Sequence, residues 1–578
     1  MPSDSAPTKN FRRAGPGSWI VPISLLVLCL VTATAFFFAT SPRVPTTSAA
    51  DLVVPQPTPG GVLRIPLVTT ILTLDPARAE LTSEILLIQQ IYDGLTALDE
   101  HLNVVPALAR YWDISHDGQT YTFELRHDAV FHNGRPVTAE DCVFSFERLL
   151  TTGLNMNNYH YFSRIEGAQE FREGLSKHVS GLRALDEKTF QIRFTSPFVP
   201  ALSVLSMYCS KILPKAELRE QGEDFFKKPM GTGPFQFSRW IGRDEDPSVP
   251  EAYGIPQSLR LEANASYFGR GPYLDAVVFR SLRDVKGTKR EIPAIERFDF
   301  LPEMTKDFTV PPGWTSGGIM KELSIRYLVL PADVPPFDDA RVRRALHLAL
   351  DKRRYLNAMP YTKGVHIANT IVPPGIPGFL STEVSHRQNL LRAKELLAEA
   401  GHEMGKGLPP LEIPIYRGWD QGEEQRALFK ECLSGIGVKV KVVKTKRWAL
   451  IEESPMTGRP LIYDSGWIAD FPDPDNFLRP LFHSTSPVNL SGYKNPEVDA
   501  LLDEAWSETS YSARNKLYHK IEAILLQDSP VIPLYYDNLA YLVRSEVEGF
   551  SISPMGSAYL QLNQVWLRED QTEAAVDF

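Results

Sequence analysis

A long apolar segment near the N-terminus restricts where the rest of this chain can fold. Three basic residues, Lys9, Arg12 and Arg13, precede a charge-free stretch that runs from about Ser18 to Thr40. An apolar helix needs about 20 residues to cross the hydrocarbon core, whereas the apolar part of a secretory signal has about 7 to 15. The stretch therefore predicts a transmembrane anchor, with residues 1–17 in the cytoplasm and everything after it outside.

The same segment can instead be read as a signal sequence that is removed. Small residues that resemble processing sites occur at 33–35 and at 48–50. We favour an uncleaved anchor because Phe36, Phe37 and Phe38 continue the apolar run beyond the first site, and the second lies well past its end. We expect the protein on the periplasmic or extracytoplasmic face of the cell membrane, tethered by its N-terminal helix or exported after cleavage. A Pro-, Thr- and Ser-rich stretch, residues 41–60, would act as a spacer.

The size and charge of the chain narrow its architecture and its partners. With 578 residues it is too long for one compact core, so we expect two or three lobes. Its 43% hydrophobic and 23% charged residues are typical of a globular protein. The net charge of -9 is mild, and no run of Lys or Arg alternates with aromatic residues. Nucleic acid is therefore not expected as a partner.

The four cysteines do not form a recognisable framework. Cys29 lies in the apolar segment, and Cys142, Cys209 and Cys432 are far apart in the sequence. An odd number outside the segment favours buried thiols, although one disulfide among the three stays open. No Cys or His spacing matches a metal site, so no cofactor is predicted.

Hydrophobic periodicity predicts strands and helices mixed along the first half. Apolar residues alternate with polar ones at 121–126 and at 190–194, which predicts two half-buried strands. Between them, residues 138–141 read as a capping box that begins a helix. That helix would bury Cys142, Phe146 and Leu149.

The second half reads as α/β. A helix is predicted after Asp338-Asp339, because apolar residues follow the i, i+3, i+4, i+7 pattern from Val342 to Leu350. A strand at 411–416, a helix at 423–433 and a strand at 438–442 would form a βαβ unit with parallel strands. Two more helices are predicted, from Asn495-Pro496 through Trp506 and from Arg514 to Leu526.

The sequence lacks the common catalytic signatures, so the protein is not expected to be an enzyme. There is no GxSxG elbow, no HExxH zinc motif and no complete P-loop. His402-Glu403 has no second His at the required spacing, and the glycines between Gly401 and Gly407 are wrongly spaced for a phosphate loop. Both are interpreted as the solvated end of a helix.

An acidic cluster in the second half allows two chemical interpretations. Asp464, Asp470, Asp473 and Asp475 could be paired carboxylates of a glycoside hydrolase or oxygen ligands of a metal. Neither is favoured, because Pro472 and its neighbour Pro474 break any regular face. We expect Asp473 and Asp475 to be solvated acids of a turn.

Several motifs together resemble the family 5 solute-binding proteins of ABC importers, which include dipeptide, oligopeptide and nickel binders. The resemblance runs from about Gly61 to Gly549. It is carried by Thr73-Leu74-Asp75-Pro76, Ile91-Tyr92-Asp93-Gly94-Leu95, Pro106-Ala107-Leu108-Ala109 with Trp112, the run from Phe131 to Asp141 (FHNGRPVTAED), Gly231-Thr232-Gly233-Pro234-Phe235, Pro335 to Arg343 (PPFDDARVR) and Gly466-Trp467-Ile468-Ala469-Asp470.

The resemblance implies an α/β fold of the two-lobed, type II periplasmic-binding-protein class, with an extra domain inserted in the first lobe. The chain should cross between lobes twice and close on its ligand by a hinge. The first lobe would hold 61–100, 214–322 and 545–578, with the insertion at 101–213 and the second lobe at 323–544. Such a protein, expected to be a monomer, captures a peptide or peptide-like ligand and delivers it to ABC permease subunits in the membrane.

The resemblance also implies two ligand-binding residues. In peptide-binding members the Trp-x-x-Asp motif places a carboxylate that pairs with the ligand's N-terminal ammonium group, and here that residue is Asp470. Trp467 would form the wall of a side-chain pocket. A buried carboxylate gains a strong charge-assisted hydrogen bond when a correctly placed amine arrives. The alternatives are a helix N-cap for Asp470 and a core aromatic for Trp467.

Departures from the family pattern concern the ligand. Oligopeptide binders often carry a base on the strand before the motif, where this chain has Asp464. Residues 243–257 resemble an extra polar loop, and 285–300 match the pattern poorly. A nickel chelate, a sugar or another solute is the alternative ligand class, and an exported hydrolase or a membrane-anchored signalling or scaffold protein are more remote alternatives.

Overall fold

The computed structural model describes residues 56–568, except for ten short internal stretches. These are 155–157, 243–250, 253–254, 257, 282–296, 303–309, 360–364, 380–386, 416–421 and 445–459. The described residues do not include the predicted transmembrane segment 18–40 with Cys29 or the predicted cytoplasmic residues 1–17. They also leave out residues 41–55 of the spacer 41–60 and most of the stretches 243–257 and 285–300.

Strands and helices alternate along the described chain. The strands are β1 Val62–Leu67, β2 Thr96–Leu98, β3 Val104–Pro106, β4 Ala109–Ile114, β5 Thr120–Leu125, β6 Leu182–Ala184, β7 Thr189–Arg193, β8 Phe235–Trp240, β9 Glu251–Ala252, β10 Ile255–Pro256, β11 Ser258–Ala263, β12 Ala276–Ser281, β13 Phe300–Leu301, β14 Trp314–Lys321, β15 Ser324–Val329, β16 His366–Ile367, β17 Leu411–Ile415, β18 Val440–Lys444, β19 Tyr463–Ile468, β20 Val531–Tyr536, β21 Asn538–Arg544, β22 Val547–Glu548 and β23 Trp566–Leu567.

The helices are α1 Thr82–Ile91, α2 Ala139–Leu150, α3 Tyr159–Phe162, α4 Ala168–Arg172, α5 Ala201–Val204, α6 Lys215–Gln221, α7 Ala340–Ala349, α8 Lys352–Asn357, α9 Leu390–Glu399, α10 Glu423–Ser434, α11 Asp475–Phe482, α12 Pro496–Ser507 and α13 Tyr511–Asp528. Short 3-10 turns occur at Gly222–Lys227, Glu403–Gly405, Ser557–Tyr559 and Leu562–Gln564. Among the described residues no helix is long and apolar enough to cross a membrane.

The local sequence signals are confirmed at several helix starts. The Thr138 hydroxyl accepts a hydrogen bond from the backbone N–H of Asp141, and the Asp141 carboxylate accepts one from the N–H of Thr138, which completes the predicted capping box of α2. Asp339 caps α7, and Asn495 caps α12 with proline in its first turn. Capping therefore fixes these boundaries as predicted.

The first half contains two four-stranded sheets. One has the order β1-β12-β11-β8, with β1 parallel to β12 and the other neighbours antiparallel. The other has the order β4-β5-β7-β6 and is antiparallel throughout. In the second sheet, every other residue of β5 is buried, as its sequence predicts. Phe123 and Phe190 stack in the resulting core with ring centroids 6.4 Å apart.

The second half has a separate core on a sheet of order β16-β20-β15-β19. Alternate residues of β15 face two different apolar clusters, because Ile325 and Tyr327 pack on one face while Leu328 lies on the other. The predicted βαβ unit is confirmed: β17 and β18 pair in parallel, with α10 between them in the chain. Apolar clusters thus cover both faces of the four-stranded sheet β16-β20-β15-β19, as in an α/β protein.

The chain passes twice between the two halves, at adjacent positions. β14 pairs with β21 in a three-stranded sheet of order β13-β21-β14, and it leads through Glu322 and Leu323 into β15 of the other sheet. β20 leads back through Asp537 into β21. The N–H of Glu322 donates to the carbonyl of Asp537 at 3.1 Å, which joins the two crossings. Two short connections side by side are the geometry of a hinge.

The described cysteines are unpaired and buried. Cys142, Cys209 and Cys432 are free thiols inside the protein. Burial raises the pKa of Cys209 to about 12, so its thiol stays protonated at neutral pH. These cysteines are therefore packing residues, as the odd number favoured.

Candidate functional site

Trp467 and Asp470 lie at the end of an edge strand. Trp467 belongs to β19, the outermost strand of its sheet, and Asp470 follows that strand by two residues. Among the described strands, β19 pairs only with β15. Proline at 472 and at 474 has no N–H for a ladder bond, so the strand is not prolonged. The Trp-x-x-Asp motif is thus presented where a sheet edge meets a loop.

A buried amide, Asn476, connects the two motif residues. Its Oδ1 accepts a hydrogen bond from the backbone N–H of Asp470 at 2.8 Å and from Nε1 of Trp467 at 3.3 Å. Its Nδ2 donates to Oδ2 of Asp470 at 3.4 Å and to the hydroxyl of Tyr161 at 3.2 Å. Asn476 is fully buried and near the start of α11. No pattern in the sequence pointed to Asn476.

Residues from distant parts of the chain complete the surroundings of Asp470. Tyr559 donates its hydroxyl to the backbone carbonyl of Asp470 at 3.1 Å. Tyr161 meets Phe471 edge to face, with centroids 5.1 Å apart. Burial is the main cause that raises the pKa of Tyr208 and of Tyr559 well above the usual value, and the negative charge of Asp470 is the second cause. Both phenols therefore stay protonated. Asp470 of the second half therefore lies against residues of the first half and of the C-terminal segment.

The Asp470 carboxylate is the electrostatically unusual group of the site. Desolvation raises its pKa to about 6, and the hydrogen bond from Asn476 offsets only part of this effect. Among the described residues it forms no ion pair, although its side chain is not sealed from solvent. A desolvated carboxylate without a cation favours any ligand that supplies one.

The prediction that Asp473 and Asp475 are solvated acids is wrong. Asp475 is fully buried, accepts a hydrogen bond from Nε1 of Trp506 at 2.7 Å and pairs with Arg479 at 3.2 Å. Asp473 is held by both Nη atoms of Arg514, at 2.7 and 2.9 Å. Two arginines from flanking helices thus fix the loop that presents Asp470. Their positive charges compensate the burial of Asp473 and Asp475.

The alternative role of Asp470 as a helix cap does not fit the structure. Helix α11 begins at Asp475 after Pro474, and the Asp470 carboxylate accepts a hydrogen bond only from the Asn476 side chain among the described groups. Trp467 is half-buried and packs against the second-half core while its indole N–H bonds to Asn476. The packing role of Trp467 and a role in contacting ligand are compatible.

Two other features of the described residues give less support for a functional site. No group of three or more His, Cys, Asp or Glu side chains among them is arranged to hold a metal ion. A small cavity of about 20 Å³ lies between the second-half sheet and α10, and neither Trp467 nor Asp470 lines it. Its lining is mostly apolar, and it consists of Leu328, Tyr355, Ile413, Pro414, Gly422, Gln425, Arg426, Phe429, Ile462, Tyr463 and Asp464.

Comparison with known proteins decides the family. The sequence profile of bacterial extracellular solute-binding proteins, family 5, middle region, matches residues 103–489, more than half of the chain. The chain belongs to this family. Its members are extracytoplasmic solute-binding proteins, which agrees with the placement outside the cytoplasm that the sequence predicted.

Curated relatives of this family 5 protein share more than a quarter of its residues. It is 28% identical over 483 residues to the dipeptide-binding protein of Escherichia coli K12, covering 79% of this chain and 85% of the relative. It is 29% identical over 500 residues to a probable deoxycholate-binding periplasmic protein of the same organism, covering 83% of this chain and 89% of the relative. The similarity thus extends over most of both chains.

Solved structures confirm the fold. An ABC transporter-associated periplasmic binding protein from Helicobacter pylori, in complex with peptide STSA, superposes with a TM-score of 0.71 and 26% identity. The match covers 88% of this chain and 98% of that one. The family 5 protein therefore has the α/β, two-lobed type II architecture that the motifs implied.

Proposed function

We propose that this family 5 protein captures short peptides between its lobes and presents them to an ABC-type permease, with Asp470 as the partner of the ligand's N-terminal ammonium group. The observation that carries the proposal is a desolvated carboxylate, with a pKa raised to about 6, that has no cationic partner among the described residues. Trp467 stands beside it and would contact a ligand side chain. Binding of this kind requires no catalytic residue, and the protein is proposed to act as a monomer.

The edge position of β19 supports a peptide as the ligand. An extended peptide can add to a free strand edge through main-chain hydrogen bonds. The names of two relatives agree, since one is a dipeptide-binding protein and another is bound to a peptide in its structure.

The second candidate is a non-peptide solute, and it is raised by the relative named as probably deoxycholate-binding. Deoxycholate carries a carboxylate and no amine, so Asp470 would repel it. A sugar would offer Asp470 hydroxyl donors but no cation, and a nickel chelate would offer no ammonium group. The charge of the site therefore favours peptides over these solutes.

The proposed capture uses hinge closure of two lobes. We place the crossings at Glu322 and Asp537, because the sheet membership of the strands changes at these residues. The first lobe then holds 61–100, 214–322 and the chain after 537, with the inserted domain at 101–213. The second crossing comes earlier than the sequence-based boundary at 544, since β21 pairs with β13 and β14.

We also propose that residues 18–40 remain as a membrane anchor. Their length and the basic residues before them support a spanning helix over a cleavable signal. The full-length protein is expected to stay with membranes during carbonate extraction, whereas a variant that begins at Gly61 should be released as a folded protein. A mature protein beginning near Phe36 or Asp51 would contradict the anchor.

The pH dependence of affinity tests the proposed role of Asp470. In the free protein the carboxylate loses its charge as pH falls through about 6. A bound ammonium group lowers that pKa, so below about pH 6 the affinity should fall by up to about tenfold per pH unit. The ligand amine has a pKa of about 7.7 to 8.0, so affinity should fall again above about pH 8.

The measurement is calorimetric titration with the best-bound member of a library of unmodified tripeptides. At about pH 6, binding should release close to half a proton per complex, which buffers of different ionisation enthalpy would reveal. An affinity that is constant between about pH 5 and pH 7 would contradict a charge-paired Asp470. Failure of every tripeptide to bind at about pH 7 would contradict the peptide proposal itself.

A further inference from the structure

The C-terminal end of helix α12 meets the inserted domain. The last four carbonyl groups of a helix have no partner within it, so they need donors from elsewhere. Nε of Arg514, which belongs to the second lobe, donates to the Ala505 carbonyl at 2.9 Å. The next carbonyl, that of Trp506, accepts the backbone N–H of Val199 from the inserted domain at 3.1 Å. Another domain therefore completes the end of α12.

The Trp506 ring crosses to the other side of the same interface. The other buried residues of α12 pack in an apolar cluster of the second half, whereas Trp506 packs in the cluster of the first half and is 4% exposed. Phe198 of the inserted domain meets the indole edge to face, with ring centroids 5.4 Å apart. Moving α12 away from the inserted domain would expose this ring to water, which is unfavourable in proportion to its apolar area.

An arginine of the inserted domain lies over the same ring. Cζ of Arg164 is 4.6 Å from the Trp506 ring centroid, and its guanidinium donates to the Ser196 hydroxyl. Burial is the main cause that lowers the pKa of Arg164, and the positive charge of Arg479 is the second cause. Attraction to the indole face offsets part of this unfavourable burial. The inserted domain thus contacts Trp506 through a backbone N–H, an aromatic ring and a cation.

These contacts join two parts of the protein that no chain connection links directly. The crossings proposed at Glu322 and Asp537 connect the second lobe to the first lobe, and the inserted domain is attached only to the first. In the described part of the chain, Arg164, Phe198 and Val199 form no hydrogen bond or ring contact with Trp467 or Asp470. The contacts around Trp506 must therefore break when the lobes separate, and they are distinct from the proposed ligand contacts.

We propose that the inserted domain is a latch for the closed protein, in which Val199 and Phe198 hold Trp506 and raise the affinity for every ligand without touching it. The inference rests on the proposed function, capture by hinge closure. If only the closed protein retains ligand, the apparent Kd equals the intrinsic Kd divided by the closed fraction. Weakening the latch lowers this fraction and weakens the binding of all ligands by one common factor.

The first test removes the hydrogen bond across the interface. Val199→Pro has no N–H for the Trp506 carbonyl, and the substitution suits the backbone. Val199 is the second residue of a turn that the N–H of Ala201 closes on the Phe198 carbonyl, a position that proline favours. Val199→Pro should bind an unmodified tripeptide about 2- to 12-fold more weakly, the equivalent of about 0.5 to 1.5 kcal/mol. Val199→Ala keeps the N–H and should bind like the wild-type protein.

A second pair of variants acts on the aromatic contact, so the test does not depend on the folding of Val199→Pro. Phe198→Leu removes the ring that meets Trp506. Phe194→Leu removes a neighbouring ring, 5.2 Å from that of Phe198, and serves as the matched control. Loss of an edge-to-face contact should weaken tripeptide binding by about 2- to 12-fold, whereas Phe194→Leu should stay close to wild-type affinity.

The closed fraction is measured without ligand, on the full-length protein in detergent. Spin labels on Leu175→Cys and Tyr511→Cys, which replace two well-exposed residues, report the distance between the inserted domain and the second lobe. Cys29 is replaced by serine, and the described cysteines are buried. The wild-type protein and the control variants should show a population at short distance, and Val199→Pro and Phe198→Leu should both reduce it.

The two measurements distinguish failure of the latch from failure of the peptide function. Absence of binding by every unmodified tripeptide would overturn the peptide function, and the distances would still decide the latch. Equal distance distributions within each pair of variants would overturn the latch. A latch variant that changes the discrimination between a free and an acetylated tripeptide would also overturn it, because the substituted residue would then act on the ligand itself.

Discussion

Replacing Arg479 with methionine is expected to lower the free energy of unfolding by about 3 to 5 kcal/mol, the typical loss when one partner of a buried ion pair is removed. Arg479 pairs with the fully buried Asp475, donates to the backbone carbonyl of Leu502 and lies over the ring of Trp506 at 3.4 Å. Methionine keeps the apolar stem but leaves the Asp475 carboxylate without its cation. Urea unfolding of the unliganded protein would measure the loss.

Two further variants test this mechanism. Lys520→Met removes an exposed partner of Glu497 and should cost less than about 1 kcal/mol. Adding Asp475→Asn to Arg479→Met should recover part of the loss, because the uncompensated charge is gone. A loss for Arg479→Met as small as that for Lys520→Met would show that the Asp475 charge does not depend on this arginine.

Replacing Asp470 with asparagine is expected to stabilise the unliganded protein at neutral pH by about 1 to 3 kcal/mol. The pKa of Asp470 is about 6 in the folded protein and about 3.9 in an unfolded chain. The charged carboxylate is therefore less stable in the folded state than in the unfolded state. The stability that Asp470 contributes is fully present only below about pH 4 and falls as pH rises through about 6. Asparagine is uncharged throughout and can keep the bond from Asn476.

Urea unfolding at about pH 5 and about pH 8 checks both the sign of the stability change and its trend with pH. The free energy of unfolding that Asp470→Asn gains over the wild-type protein should be larger at about pH 8 and should decrease as pH falls. Asp224→Asn removes an exposed carboxylate that pairs with Lys227 and serves as the charge control, for which a change of less than about 1 kcal/mol is expected. Destabilisation by Asp470→Asn would identify the carboxylate as a structural group and contradict its role as an unpaired ligand partner.

The sequence predicted the fold better than the site because its strongest signals are local. Capping residues such as Thr138 and Asn495 act within one turn of their own helix, so their pattern is visible in the sequence. The alternation in β5 and the βαβ unit from β17 to β18 are equally local. The motif that carries Trp467 and Asp470 was recognised through its family resemblance.

The surroundings of Asp470 could not be predicted, because they depend on tertiary contacts. Asn476 looks like an ordinary residue of a helix start, yet its amide joins Trp467, Asp470 and Tyr161, which is 315 positions away. The same reason explains the error on Asp475. An acid directly after a proline resembles a solvated turn until the fold brings Arg479 and the Trp506 indole to it.

Binding of a matched pair of peptides by wild-type protein and by Asp470→Asn tests the central claim most directly. The pair is one tripeptide from the unmodified library with a free and with an acetylated N-terminus, titrated by calorimetry at about pH 7. Removing one member of a desolvated charge pair costs about 2 to 5 kcal/mol, so acetylation and Asp470→Asn should each weaken binding by at least about tenfold. Acetylation should make little further difference in Asp470→Asn. Equal affinity of wild-type protein and Asp470→Asn for the free peptide, with unchanged discrimination against the acetylated one, would contradict the assignment of Asp470 to the ligand ammonium group.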